Sequence, residues 1–291
     1  MTEPRSVGAE TAGQDSARTG RRASPGAALA PTPTESGPPL LHLDGRVATI
    51  TLRRPEHANR LGPADLAVLA AHLRAVDADE AVTVLRVAAL GKHFCSGFDI
   101  GSIGKAVSGC DDLPPASFED VTDALENTRA VSIAAIQGGV FGGATDLALA
   151  CDFRYGVPAC RMFVPAARLG MHYYGGGLER FVRRLGLAAA KRIMLTAETF
   201  DAQAMLTIGY LDRLLDSPQA LIAEVEQLTA TLTGMAPLAL LGMKKHLNRI
   251  ALGRLDADEI AADIARASAS ADLAEGARAW LEKRTPRFQG R

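Results

Sequence analysis

The chain has 291 residues, 47 % of them hydrophobic and 22 % charged, with a formal net charge of −1. That balance suits a globular protein and offers no general basic surface for nucleic acid. No apolar run reaches the roughly 18 residues of a membrane span. The four cysteines, Cys95, Cys110, Cys151 and Cys160, show no CxxC spacing and read as reduced residues of a cytoplasmic protein, not as disulfide partners or zinc ligands.

Residues 1–38 are rich in Ser, Thr, Pro, Gly, Ala and Arg, with almost no large apolar side chain. Such a segment cannot bury enough surface to offset chain entropy, so a disordered tail is expected. It lacks the apolar stretch of a secretory signal, and Glu3, Glu10 and Asp15 argue against a transit peptide.

Residues 40–54 (LLHLDGRVATITLRR) hold two β-like runs around Asp44-Gly45, a hairpin signal. Residues 63–79 carry Leu66, Leu69, Ala70 and Leu73 at helical spacing, with Pro63 suited to the first turn. Residues 82–89 predict a buried strand, 117–129 a helix and 131–136 a second buried strand. Helix is expected over 146–150 and 177–186, with a short strand at 162–164. From Thr199 the chain reads as nearly all helix, broken near Ser217-Pro218, Pro237, Gly253 and Leu273. Strands alternate with helices in front and the last third is helical, which gives an α/β class with a helical C-terminal region.

Two glycine-bearing segments punctuate this order: GKHFCSGFDIGSI at 91–103 and AIQGGVFGGATDLALACDF at 135–153. Each follows an apolar β-branched run and precedes a helix-like stretch. The pair presents backbone N–H groups at helix starts, where a developing oxyanion is held without a charged side chain. Gly97, Gly142 and Gly143 carry no side chain, so a ligand approaches the backbone closely.

Four stretches in order resemble the enoyl-CoA hydratase/isomerase (crotonase) superfamily. They are RRPEHANRL (53–61), GKHFCSGFDI, QGGVFGGATDLALACDFRYG and TFDAQAMLTIGYLDRLL (199–215), and the closing EGARAWLEKRTPRF is similar to the family's last helix. The resemblance spans about residues 40–288. It implies a crotonase-like spiral of ββα units: a tail at 1–38, a core with the acyl-CoA site at 39–215, and a helical trimerisation region at 216–291. It also implies a homotrimer or dimer of trimers, an acyl-CoA thioester as substrate, and no cofactor, metal, nucleic-acid or membrane partner.

Carried over by position, the resemblance places the oxyanion amides at Phe98 and Gly143. Ala58 matches the pantetheine-contacting stretch. Ser96, Gly97, Asp99 and Ile100 line the path of adenine and thioester with Gly142, and Lys92 and Lys283 are candidates for CoA contact. Hydratases of the family use two glutamates. Here the first position is Asp146, one methylene shorter, and the second, after Pro165, is Ala166. Hydration is served by two groups that hold a water and move its proton, so this pattern departs from an ordinary hydratase. The next loop, GMHYYGGG (170–177), offers His172, Tyr173 and Tyr174 as candidates for an acid/base or a hydrogen-bond donor near the acyl chain, histidine being a residue type suited to proton transfer. His93 reads as a surface residue and Arg168 as half of a structural ion pair.

The leading expectation is an enoyl-CoA hydratase/isomerase-like enzyme. An atypical isomerase, hydrolase, decarboxylase or dehalogenase, or a non-catalytic acyl-CoA binder, is the alternative. A dinucleotide oxidoreductase is disfavoured, because GGVFGG is not GxGxxG.

Overall fold

The computed structural model describes residues 29, 35–102 and 115–291. Most of the expected tail, and Cys110, lie outside the described residues.

The hairpin forms as read. β1 (Gly37–Asp44) and β2 (Val47–Arg53) pair antiparallel, with Asp44 opposite Val47. Gly45 stands first in the turn at φ 56°, a conformation open to glycine at no steric cost. β2 then pairs parallel with β3 (Val84–Ala89), β3 with β4 (Val131–Ile136), β4 with β6 (Phe153–Gly156), and β6 with β9 (Arg213–Leu214). The result is a six-stranded sheet in the order β1-β2-β3-β4-β6-β9. All six residues of β4 are buried, as expected of a parallel strand covered on both faces.

A second, three-stranded sheet joins β5 (Gly139–Phe141), β7 (Arg161–Phe163) and β8 (Phe200–Asp201) in the order β5-β7-β8. β5, β6, β8 and β9 go beyond the sequence reading. They are only two to four residues long, too short for a period-2 pattern to stand out.

α1 (Pro63–Ala78) buries Leu66, Leu69, Leu73 and Val76 and packs on β1 and on α2 (Phe118–Asn127). Ser117 caps α2: its Oγ accepts from the Asp120 N–H at 3.0 Å, and the Asp120 carboxylate accepts from the Ser117 N–H at 2.8 Å. α3 (Gly143–Ala150) starts three residues before the expected helix and is enclosed along nearly its whole length. α4 (Gly175–Thr196) is two helices joined at Gly186, where φ is 79°. A short α5 (Ala202–Thr207) leads to β9, and α6 (Pro218–Thr233) covers β3, β4 and β6. α7 (Pro237–Ala251), α8 (Ala257–Ser268) and α9 (Ala271–Leu281) complete the chain. The break expected near Leu273 falls at Ala269 and Ser270, where the Ser270 hydroxyl caps α9 by accepting from the Leu273 N–H. No helix among the described residues is long and apolar enough to cross a membrane.

Candidate active site

The two glycine segments meet at the C-terminal ends of β3 and β4. Phe94 and Cys95 donate their N–H groups to Gly139 O at 3.0 and 3.2 Å, and the Phe141 N–H donates to Cys95 O at 3.0 Å. The first segment also lies beside the turn after β2: the Ser96 N–H donates to Ala58 O, and Leu61 bridges to Phe98. Both bonds at that bridge use the neighbours of Phe98, namely Gly97 O and the Asp99 N–H. The Phe98 N–H therefore points away from Leu61, and it has no acceptor among the described residues. Gly143 opens α3, so its N–H has no intrahelical acceptor either.

The two amides lie close together. A Cβ built on Gly97, whose φ is 85°, would sit 2.9 Å from the Gly143 nitrogen and 2.6 Å from Phe141 O. A Cβ on Gly142 would sit 3.8 Å from Ser96 O and 3.9 Å from the Pro165 ring. Ala58, Ser96, Gly97, Phe98, Gly142, Gly143 and Pro165 thus form one neighbourhood.

The other expected site residues are placed less uniformly. Asp99 is engaged in its own loop, accepting from the Gly101 N–H at 3.1 Å and the Ser102 hydroxyl at 3.2 Å, with Arg60 at 3.6 Å. Lys92 and Ile100 are exposed on that loop, and Ala166 is buried at the head of a 3-10 turn (Ala166–Leu169). Lys283, after α9, is exposed and makes a local backbone bond to Trp280 O. His172 is exposed, and its Nδ1 lies 2.7 Å from Tyr173 O, which requires the proton on that nitrogen. His93 is not the free surface residue expected: its ring packs 5.8 Å from that of Phe141. Arg168 forms no ion pair among the described residues; its guanidinium donates to Thr196 O.

Asp146 differs most from an open acid/base group. It is wholly buried, and its Oδ2 accepts from the Tyr174 hydroxyl and from Arg180 Nη1, both at 2.6 Å. Arg180 is itself 1 % exposed and reaches Asp123 at 2.5 Å and Glu126 at 3.1 Å. Burial pushes the Asp146 carboxyl up, and the Arg180 charge and the Tyr174 hydroxyl oppose it. Arg180, surrounded by carboxylates, is raised further above the ordinary arginine value despite its burial. Burial likewise raises the Tyr174 phenol, so it keeps its proton and donates. The result is a buried ion pair with a tyrosine on it.

Residues 43–291 match the enoyl-CoA hydratase/isomerase family. The chain belongs to this family, within the crotonase superfamily. It is 29 % identical over 259 residues to a peroxisomal Delta(3,5)-Delta(2,4)-dienoyl-CoA isomerase of Arabidopsis thaliana, spanning 84 % of this chain and 93 % of that protein. It is also 29 % identical over 252 residues to a crotonyl-CoA hydratase of Syntrophomonas wolfei, spanning 86 % and 96 %. Among solved structures, an enoyl-CoA hydratase/carnithine racemase from Magnetospirillum magneticum superposes with a TM-score of 0.80 at 26 % identity, covering 88 % of this chain and 97 % of that one.

In this crotonase-fold chain, sequence reasoning passed over the side chains that shape the loops. Asn59 is 1 % exposed and left-handed at φ 53°. Its Oδ1 accepts from the Arg54 N–H at 2.7 Å, and its Nδ2 donates to Leu90 O at 2.8 Å and His93 O at 2.9 Å. Gln137 donates to Ala89 O, Gly91 O and His93 O. Phe118, at the start of α2, rests on Gly143: a Cβ there would meet its ring at 2.9 Å. The one sequence signal for Asn59 is its place in the RRPEHANRL motif; Arg180, in a helix rich in arginine, carried none.

Proposed function

We propose that this chain binds an acyl-CoA thioester and stabilises an enolate-like oxygen with the backbone amides of Phe98 and Gly143. The observation that carries this reading is the adjacency of the two loops, with both amides lacking an acceptor among the described residues. Donors fixed in place before reaction cost no reorganisation when charge develops on the oxygen. α3 adds its positive dipole end at the same point.

Ser96, Gly97 and Gly142 bound the thioester with Ala58 and Pro165, and Lys92, Asp99, Ile100 and Lys283 are the candidates for contacts with the rest of CoA. With Ala166 where a second carboxylate would stand and Asp146 ion-paired, the reaction favoured is one centred on the enolate, such as double-bond isomerisation, over addition of water. His172 remains a candidate proton carrier only if its loop turns inward on binding. A chain that binds acyl-CoA without turning it over is the second reading, favoured by the closed state of Asp146.

Turnover on a panel of enoyl-, dienoyl- and hydroxyacyl-CoA thioesters tests the proposal, with Gly143→Pro as the control that removes one donor. The expected result is turnover in the wild type that falls by about 10²–10³ in the variant. Full turnover in a folded Gly143→Pro protein would overturn the oxyanion assignment. Binding without turnover on the whole panel would favour the second reading.

We propose further that α7 to α9 mediate assembly into a homotrimer or a dimer of trimers. Trp280 and Leu281 are 85 % and 82 % exposed, and Met243, Leu247, Ile250 and Ile264 also present apolar side chains to solvent. Apolar exposure concentrated in one region marks an interaction surface.

A further inference from the structure

Gly143 and Asp146 are three residues apart on α3 and therefore lie on one side of the helix, one turn from each other. On the acyl-CoA reading, an acyl chain whose thioester oxygen rests on the Gly143 amide and which follows this side of α3 would meet Asp146 one turn on. The side chain that stands at Asp146 is Tyr174, whose hydroxyl occupies Oδ2.

Tyr174 cannot withdraw toward α4. Its ring stacks on Tyr173 with centroids 4.7 Å apart, and Tyr173 meets Phe181 edge-on at 6.1 Å. Both tyrosine rings press on Gly177, where a Cβ would lie 2.5 Å from Tyr173 and 2.7 Å from Tyr174. Asp146 cannot follow a substrate outward either, because Arg180 holds the same oxygen and is itself held by Asp123 and Glu126. The opposite wall is the Phe118 ring resting on Gly143.

We infer that Tyr174 is a specificity-determining residue that closes the acyl end of the site, so that the chain takes short acyl thioesters. Asp146 and Arg180 act through it as positioning residues. The inference rests on the acyl-CoA reading above and adds the depth of the site and the side chain that sets it. In place of an open carboxylate, the acyl group meets a phenol ring whose proton is committed to Asp146. Chain length is then limited by sterics, since the space behind the phenol ring is filled by Tyr173, Phe181 and Gly177.

The test is binding of acetyl-, crotonyl-, hexanoyl- and decanoyl-CoA to the wild type, Tyr174→Leu, Tyr174→Ala and Tyr174→Phe. Thermal melts identify which variants fold, and the ¹³C resonance of the Asp146 carboxyl is followed against pH. The wild type should favour the two shorter thioesters by about tenfold or more. Tyr174→Ala, or Tyr174→Leu should the alanine variant not fold, should move the preference toward the longer ones. Tyr174→Phe should keep the short-chain preference and shift the Asp146 resonance, which separates the plug from the hydrogen bond. A wild type indifferent to chain length, or an unchanged profile in a folded Tyr174→Ala or Tyr174→Leu protein, would overturn the inference alone. Failure of the wild type to bind any of the four would overturn the acyl-CoA reading and this inference with it.

Discussion

The Cα of Gly97 lies so close to the Gly143 amide that a methyl group added to it would stand 2.9 Å from that nitrogen. Gly97 also has a φ of 85°, which side chains rarely adopt. Replacing it with alanine therefore pushes the two loops apart at the point where their amides converge. Gly97→Ala should lower kcat on a responsive thioester by about 10²–10³, the effect of losing one donor. Steady-state kinetics on protein shown to be folded by its melting curve checks this. Unchanged kcat would mean that the paired amides are not the catalytic feature.

Arg180 gathers Asp123, Glu126 and Asp146 from two helices onto a third. Asp123 is half exposed and tolerates loss of its partner. Glu126 retains Arg183 and Arg184, but Asp146 has no other cation within ion-pairing distance among the described residues. Breaking a buried pair by removing one partner costs about 3–5 kcal/mol. Arg180→Leu should show a loss of that size in urea denaturation, and the double variant Arg180→Leu with Asp146→Leu should recover part of it.

Glu126 sets an acid limb to stability. Burial works to raise its carboxyl, but Arg180, Arg183 and Arg184 more than offset this and hold it below the ordinary value of 4.5. A carboxyl depressed in the fold stabilises the protein fully above its unfolded value, and that contribution is lost as the pH falls through the folded value. Glu126→Gln should be less stable than the wild type at pH 7, and the gap should narrow as the pH falls below about 4.5. Urea midpoints at several pH values measure this; a gap that stays constant would remove Glu126 as the titrating group.

Trp280 and Leu281 bear on assembly. Trp280→Glu should lower the mass seen in sedimentation and leave the helical circular dichroism unchanged. A wild type that sediments as a monomer at micromolar concentration would remove the trimer proposal.

Elements with a full period of apolar residues were legible in the sequence. The β1–β2 hairpin, α1, α2 and β4 lie within a few residues of where pattern and turn residues put them. β8 and β9, two residues each, were not legible, because their pairing is fixed by neighbours far along the chain. The glycine loops were legible because glycine marks close backbone approach. The state of Asp146 was not. Nothing in the local sequence tells that a tyrosine 28 positions on and an arginine 34 positions on both reach its carboxylate. Periodicity cannot register that kind of convergence.

Asn59 and Gln137 both donate to the carbonyl of His93. Neither belongs to the loop they hold, so two amide side chains from outside, together with backbone bonds to Ala58, Leu61 and Gly139, fix the shape of residues 91–99. The loop's own exposed positions, Lys92 among them, are then free to vary with little effect on the geometry of the Phe98 amide. Surface chemistry around the entrance is thereby uncoupled from the frame that aims the amide, which is anchored by Asn59, Gln137 and the backbone of Ala58, Leu61 and Gly139, all outside the loop.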